Sequence, residues 1–225
     1  MAFIVKICGL STPETLDAAL SAGADMVGFV FVAKSPRHVT LDVARALARR
    51  VAAPVRKVAL VVDADDALLA AVVEALAPDV LQLHGQEAPG RVSEIRRAFG
   101  VPLMKAVGVA APADVAAISR YRAVADDVLV DAKPPRNAAY PGGHGRPFDW
   151  SILERGHPLL DPQRRFMLSG GLNAGNVADA IARTRPWGVD VSSGVESAPG
   201  IKDPARIAAF VSAARQAAQA TFEWA

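Results

Sequence analysis

Short apolar, β-branched runs recur along this chain with helix-forming stretches between them, and that alternation constrains the fold more than any other feature. Eight runs read as strands: residues 3–8, 25–31, 57–62, 80–84, 103–107, 127–131, 166–168 and 188–191. Each is nearly continuous in apolar residues, the pattern of strands covered on both faces, as in parallel sheets. Between them, residues 13–22, 41–51, 64–77, 93–99, 112–121, 176–183 and 204–220 carry Ala, Leu and Val at helical spacing, and a shorter helix is expected at 149–153. Thr12-Pro13 and Asp203-Pro204 read as N-cap and first-turn pairs, and Gly23 as a helix stop. Spread over eight units, 225 residues give about 28 per unit, close to the ~30 of a βαβ repeat. The pattern predicts an α/β fold, a (β/α)8 TIM barrel in a single domain over residues 1–225. An open doubly wound sheet shares the alternation, but no Gly-x-Gly-x-x-Gly follows the first strand.

Composition removes whole classes of function. With 52% hydrophobic and 21% charged residues, the chain has material for a core and is not disordered. Lys and Arg number 25 against 23 Asp and Glu, for a net charge of +2, and no basic block is long enough to track phosphates, so nucleic acid is not an expected partner. No apolar run approaches the ~20 residues that cross a bilayer, and the amino terminus does not read as a signal peptide, so no membrane is expected. One cysteine cannot form an internal disulfide, and four scattered histidines lack ligand spacing, so neither disulfide nor metal is expected. These features suit a cytoplasmic protein acting on a small molecule.

In a barrel of this kind, active sites lie where strands end and the following loops begin. Polar and glycine-rich residues collect at those places. Ser169-Gly170-Gly171 and Ser192-Ser193-Gly194 close strands seven and eight, where such barrels recurrently bind phosphate. Residues 195–198 are expected to add a short helix; tight turns alone would be the plainer reading. Cys8 ends the first strand, and is either a buried small hydrophobe or a base whose pKa must fall to work near neutrality. Asp131 ends the sixth, where a carboxylate is costly unless it faces a polar mouth. Three steps around an eight-membered ring would set the two across the opening, as a proton-shifting isomerase requires. Arg37 suits a substrate carboxylate. His84 could orient substrate, and Asp190 could bond a hydroxyl or hold the eighth loop. Lys6 and Lys105 read as barrel-interior cations paired with carboxylates. The longest irregular stretch, 132–147, reads as a functional or mobile loop.

Taken together, Lys6-Ile-Cys-Gly-Leu10, Gly23-Ala-Asp-Met-Val-Gly-Phe-Val-Phe31, Ser35-Pro-Arg-His-Val39, Leu81-Gln-Leu-His-Gly85, Phe166-Met-Leu-Ser-Gly-Gly-Leu-Asn173 and Gly188-Val-Asp-Val-Ser-Ser-Gly-Val-Glu196 resemble the phosphoribosylanthranilate isomerase family from first strand to last helix. The resemblance implies a (β/α)8 barrel of tryptophan biosynthesis that performs an Amadori rearrangement without a cofactor. It implies Cys8 as general base, Asp131 as general acid, Arg37 near the anthranilate, and a phosphate cradle from Ser169–Gly171, Ser192–Gly194 and the sixth loop. It also implies a monomer or a homodimer. That loop usually reads Gly-Gly-Thr-Gly in the family and here reads Gly142-Gly143-His144-Gly145; Ala132 stands where a hydroxyl residue is common. A bifunctional relative that also acts in histidine biosynthesis generally has Asp in place of Cys8, and a non-catalytic phosphate-binding barrel would have no need of Cys8 opposite Asp131.

Overall fold

The computed structural model describes residues 3–133, 148–153 and 166–222. Eight parallel strands close on themselves in chain order: β1 (Ile4–Cys8), β2 (Met26–Val30), β3 (Arg56–Val61), β4 (Val80–Leu83), β5 (Leu103–Val109), β6 (Asp127–Ala132), β7 (Met167–Leu168) and β8 (Gly188–Val191). Closure is made by β8 on β1, with Lys6 opposite Asp190 and Ile7 opposite Val191, which rules out the open sheet.

The unbroken apolar runs are explained by this closure. Successive side chains point to opposite faces of a strand, and here both faces are buried. Met26, Val58, Val80, Met104, Ala106, Leu129 and Met167 fill the barrel. Residues that alternate with the inward ones along the strands, among them Val5, Ile7, Val27, Ala59, Leu81 and Val128, join the larger core under the helices.

Those helices are α1 (Pro13–Ser21), α2 (Leu41–Ala48), α3 (Asp66–Leu76), α4 (Pro89–Phe99), α5 (Pro112–Arg122), α6 (Val177–Thr184) and α7 (Pro204–Phe222). The Thr12 side chain accepts from the Thr15 amide, and Asp203 Oδ1 accepts from the Ala205 and Arg206 amides, so both expected N-caps form. Gly23 takes a positive φ of 86° just past α1. At 149–153 the chain makes a 3-10 turn, Trp150–Leu153, whose buried Trp150, Ile152 and Leu153 pack by α6.

Three local expectations are corrected. Helix α4 starts at Pro89, four residues earlier than read, because a proline suits the first helical turn. Residues 195–198 are not a helix. A single 3-10 turn, Ser193–Val195, leads into a strand β9 (Glu196–Ala198) that pairs antiparallel with β10 (Ile201–Lys202). Pro199 and Gly200, the latter at φ +83°, reverse the chain between them. Lys105 is not a barrel-interior cation: Met104 and Ala106 face inward, and Lys105 points to the helices, 5.3 Å from the Tyr121 ring and 3.0 Å from Glu87.

Candidate active site

Above the apolar floor the barrel interior turns polar. Lys6 and Cys8 follow Ile4 on the inward face of β1, and Lys6 is wholly buried with its Nζ 2.8 Å from Asp190 Oδ1. Burial works against the Lys6 charge, but Asp190 and Cys8 together outweigh it and hold the ammonium above its ordinary range. Cys8 lies one inward step further, buried against β2. Only a glycine fits beside it: a Cβ on Gly28 would stand 2.8 Å from the Cys8 sulfur. The lowered thiol pKa expected of a base is not what this environment produces. Burial pushes the Cys8 thiol up, Lys6 pulls it down, Asp190 pushes it up, and Lys202 pulls it down, with a net rise.

Asp131 is buried at the end of β6. Oδ1 takes the Ala132 amide at 2.8 Å, and Oδ2 lies 3.2 Å from His84 Nε2. His84 is oriented by Gln82, an inward, fully buried residue of β4 whose amide nitrogen is 2.9 Å from His84 Nδ1. With that amide donating, the His84 proton sits on Nε2, the ring nitrogen 3.2 Å from Asp131 Oδ2. The other end of the Gln82 amide, Oε1, has no hydrogen-bond partner among the described residues.

Arg37 reaches the same mouth from the loop after β2. A Cβ on Gly9, at φ +79°, would come within 2.7 Å of Arg37 Cδ, so the arginine stem lies across the residue next to Cys8. Its guanidinium is buried and bound side-on by Glu196: Nε donates to Oε1 at 2.7 Å and Nη2 to Oε2 at 2.9 Å. Lys202, opposite Glu196 in the β9–β10 pair, donates to Oε1 at 2.6 Å and to Ser192 O and Oγ at 2.9 and 3.1 Å. Burial would raise the Glu196 carboxyl, but the Arg37 hydrogen bonds and the Lys202 charge hold it below the ordinary range.

The two Ser/Gly segments meet at the same rim. Gly170 and Gly171 take positive φ values of 91° and 65°, and a Cβ on Gly170 would stand 3.1 Å from Asp131 Oδ1. A Cβ on Gly194 would be 1.9 Å from the Leu172 carbonyl oxygen, so the turns after β7 and β8 are in backbone contact. Ser169 is buried, while Ser192 and Ser193 are half-buried. The structure thus gathers Cys8, Arg37, His84, Asp131, Ser169–Gly171, Asp190 and Ser192–Gly194 at one end of the barrel. Gly143, His144 and Gly145 lie outside the described residues. No three His, Cys, Asp or Glu side chains converge as metal ligands among the described residues.

Glu196, Lys202 and Gln82 went unrecognised from sequence. For the first two a signal existed: Pro199-Gly200 is a hairpin turn, and folding the chain about it sets Glu196 against Lys202. Gln82 carried only its place in the Leu81-Gln-Leu-His-Gly85 string.

The family model described as N-(5′-phosphoribosyl)anthranilate (PRA) isomerase matches residues 5–213. The chain belongs to this family. Among phosphoribosylanthranilate isomerases, that of Nitrobacter hamburgensis is 59% identical over 217 residues, 96% of this chain and 95% of its own length. A crystal structure of such an isomerase in complex with reduced 1-(o-carboxyphenylamino)-1-deoxyribulose 5-phosphate is 34% identical, with TM-score 0.82, covering 96% of this chain and all of its own. A structure of monomers generated from the dimeric isomerase of Thermotoga maritima is 35% identical, with TM-score 0.80 and the same coverage.

Proposed function

We propose that Cys8 and Asp131 are the base and acid of the phosphoribosylanthranilate isomerase reaction in this chain. The activity is the conversion of N-(5-phospho-β-D-ribosyl)anthranilate to 1-(2-carboxyphenylamino)-1-deoxyribulose 5-phosphate in tryptophan biosynthesis. The observation that carries the residue assignment is the shared mouth: a buried thiol on β1 and a buried carboxyl on β6, both inward at the strand ends, below two touching Ser/Gly turns.

In this reading Asp131 delivers a proton to the furanose ring oxygen while the C1′–O bond breaks and the anilino nitrogen pair forms a Schiff base. The Cys8 thiolate then takes the C2′ proton, giving an enolamine that tautomerises to the ketone. No electrons are exchanged with an outside group, so the chemistry calls for no cofactor. His84, whose Nε2 lies 3.2 Å from Asp131 Oδ2, orients substrate beside the acid. Asp190, held by Lys6, faces the sugar, and Arg37 takes the anthranilate carboxylate. The phosphate sits on Ser169, Gly170, Gly171, Ser192, Ser193 and Gly194, completed by Gly143, His144 and Gly145. Residues 1–225 act as one barrel domain, as a monomer or homodimer. A free buried thiol, and the lack among the described residues of a helix long and apolar enough to cross a membrane, support a cytoplasmic setting.

The test is the fluorescence of the anthranilate group when purified protein receives freshly made phosphoribosylanthranilate. The wild type should consume it well above the spontaneous rate. Cys8→Ala and Asp131→Asn should each lower kcat by about 10²- to 10⁴-fold, with circular dichroism unchanged. Near-normal turnover in either folded variant removes that residue from its role.

A further inference from the structure

Two separate demands meet in the hairpin that follows the eighth strand. The Arg37 guanidinium must be held still to read a planar carboxylate, and the turn that carries Ser192 must be held still to cradle phosphate. A long arginine side chain loses rotamer freedom when it binds, and fixing it beforehand strengthens binding. We infer that Glu196, backed by Lys202, is the positioning residue that presents Arg37 to the anthranilate carboxylate and ties it to the phosphate turn. This rests on the reading of Arg37 as the carboxylate-binding residue.

The Glu196 carboxylate has four donors around it: Arg37 Nε at 2.7 Å, Arg37 Nη2 at 2.9 Å, Lys202 Nζ at 2.6 Å and the Gly200 amide at 3.2 Å. A carboxylate so engaged, with its side chain 4% exposed, is a fixed anchor. It takes the Nε and Nη2 donors together, which fixes the plane in which the guanidinium lies. Lys202 extends the anchor to Ser192, at both its carbonyl and its hydroxyl oxygen. The hairpin is also seated against the loop that carries Arg37, since a Cβ on Gly200 would stand 2.4 Å from the Pro36 carbonyl oxygen. One continuous chain, Arg37–Glu196–Lys202–Ser192, therefore spans the two ends of the substrate.

A structural ion pair alone would not make Glu196 sense the substrate's carboxylate, and that separates the two possibilities. Two probes are titrated into the full-length protein by calorimetry: reduced 1-(o-carboxyphenylamino)-1-deoxyribulose 5-phosphate, and the same compound built on aniline, without the ring carboxylate. The ratio of their Kd values measures carboxylate recognition. Arg37→Ala should bring that ratio close to one. Glu196→Gln should lower it about tenfold relative to wild type, and should change it no further when added to Arg37→Ala. Where Glu196→Gln fails to fold, Lys202→Met and Glu196→Asp carry the same comparison, each expected to lower the ratio. A full wild-type ratio in the folded Glu196 and Lys202 variants, with Arg37→Ala at one, overturns the positioning role and leaves Arg37 as the reader. A ratio unchanged in Arg37→Ala overturns the reading of Arg37 itself, and the positioning role with it.

Discussion

A thiol whose environment pushes its pKa up is an odd choice of base, and the groups around Cys8 say how it would be managed. Burial is the largest influence, and the nearest opposing one is the Lys6 ammonium, itself kept charged by Asp190. The base must be a thiolate to accept a proton, so kcat/KM should rise with pH through the alkaline range until Cys8 has titrated. Lys6→Met removes the main downward pull while leaving the Asp190 carboxylate, which pushes upward. The rising limb should therefore move to still higher pH, with more activity lost at pH 7 than at pH 9. In Lys6→Met/Asp190→Asn both influences go, and the limb should move back toward the wild-type position. A pH profile of kcat/KM reads both variants, and a limb that stays in place in Lys6→Met would sever Cys8 from the Lys6 field. The thiol and the acid were legible in sequence because a titratable group at the end of an apolar run has little reason to be there as packing. Glu196 was not, because its meaning depends on Arg37, 159 residues earlier.

Elements were legible to within a residue or two at most strand ends, since a run buried on both faces ends where the mouth begins. The misreadings came where glycine and proline do more than stop a helix: Gly90 inside the first turn of α4, and Pro199-Gly200 reversing a hairpin. Glycine at the β7 and β8 turns has a different role again, that of allowing contact. Alanine at 194 would put a methyl 1.9 Å from the Leu172 carbonyl oxygen, and backbone on both sides must give way. Overpacking of this kind typically costs about 1–3 kcal/mol. Because both turns are proposed to hold phosphate, Gly194→Ala should raise KM by about tenfold or more, with a smaller change in kcat and a Tm lower by several degrees. Gly90→Ala is the matched control, for nothing lies within 4 Å of its added methyl and the residue is helical. It should leave KM untouched and hold or slightly raise Tm. Equal effects at the two positions would mean that backbone contact between the turns is irrelevant to binding.

A barrel has no free edge only if its last strand finds its first, and this chain fastens that seam with charge as well as with hydrogen bonds. Lys6–Asp190 crosses it within the interior, and Arg37–Glu196 crosses it at the mouth, linking residues 184 and 159 positions apart. Both pairs are buried, and removing one partner of such a pair leaves an uncompensated charge worth about 3–5 kcal/mol of destabilisation. The pH dependence of that loss has a definite sign. Glu196 is held below its ordinary value of 4.5, so its contribution is fully present above that value and fades as pH falls through the lowered folded-state pKa. At neutral pH, Glu196→Gln should unfold at clearly lower urea than the wild type. As the solution is acidified below pH 4.5, the wild type loses its advantage through proton uptake at Glu196, while the variant has no such proton to take up. The two unfolding free energies should converge toward the acid side, measured by urea titrations at a series of pH values with m unchanged. A gap that stays constant across that range would show that the seam is held by packing and strand pairing, with the Glu196 charge contributing nothing.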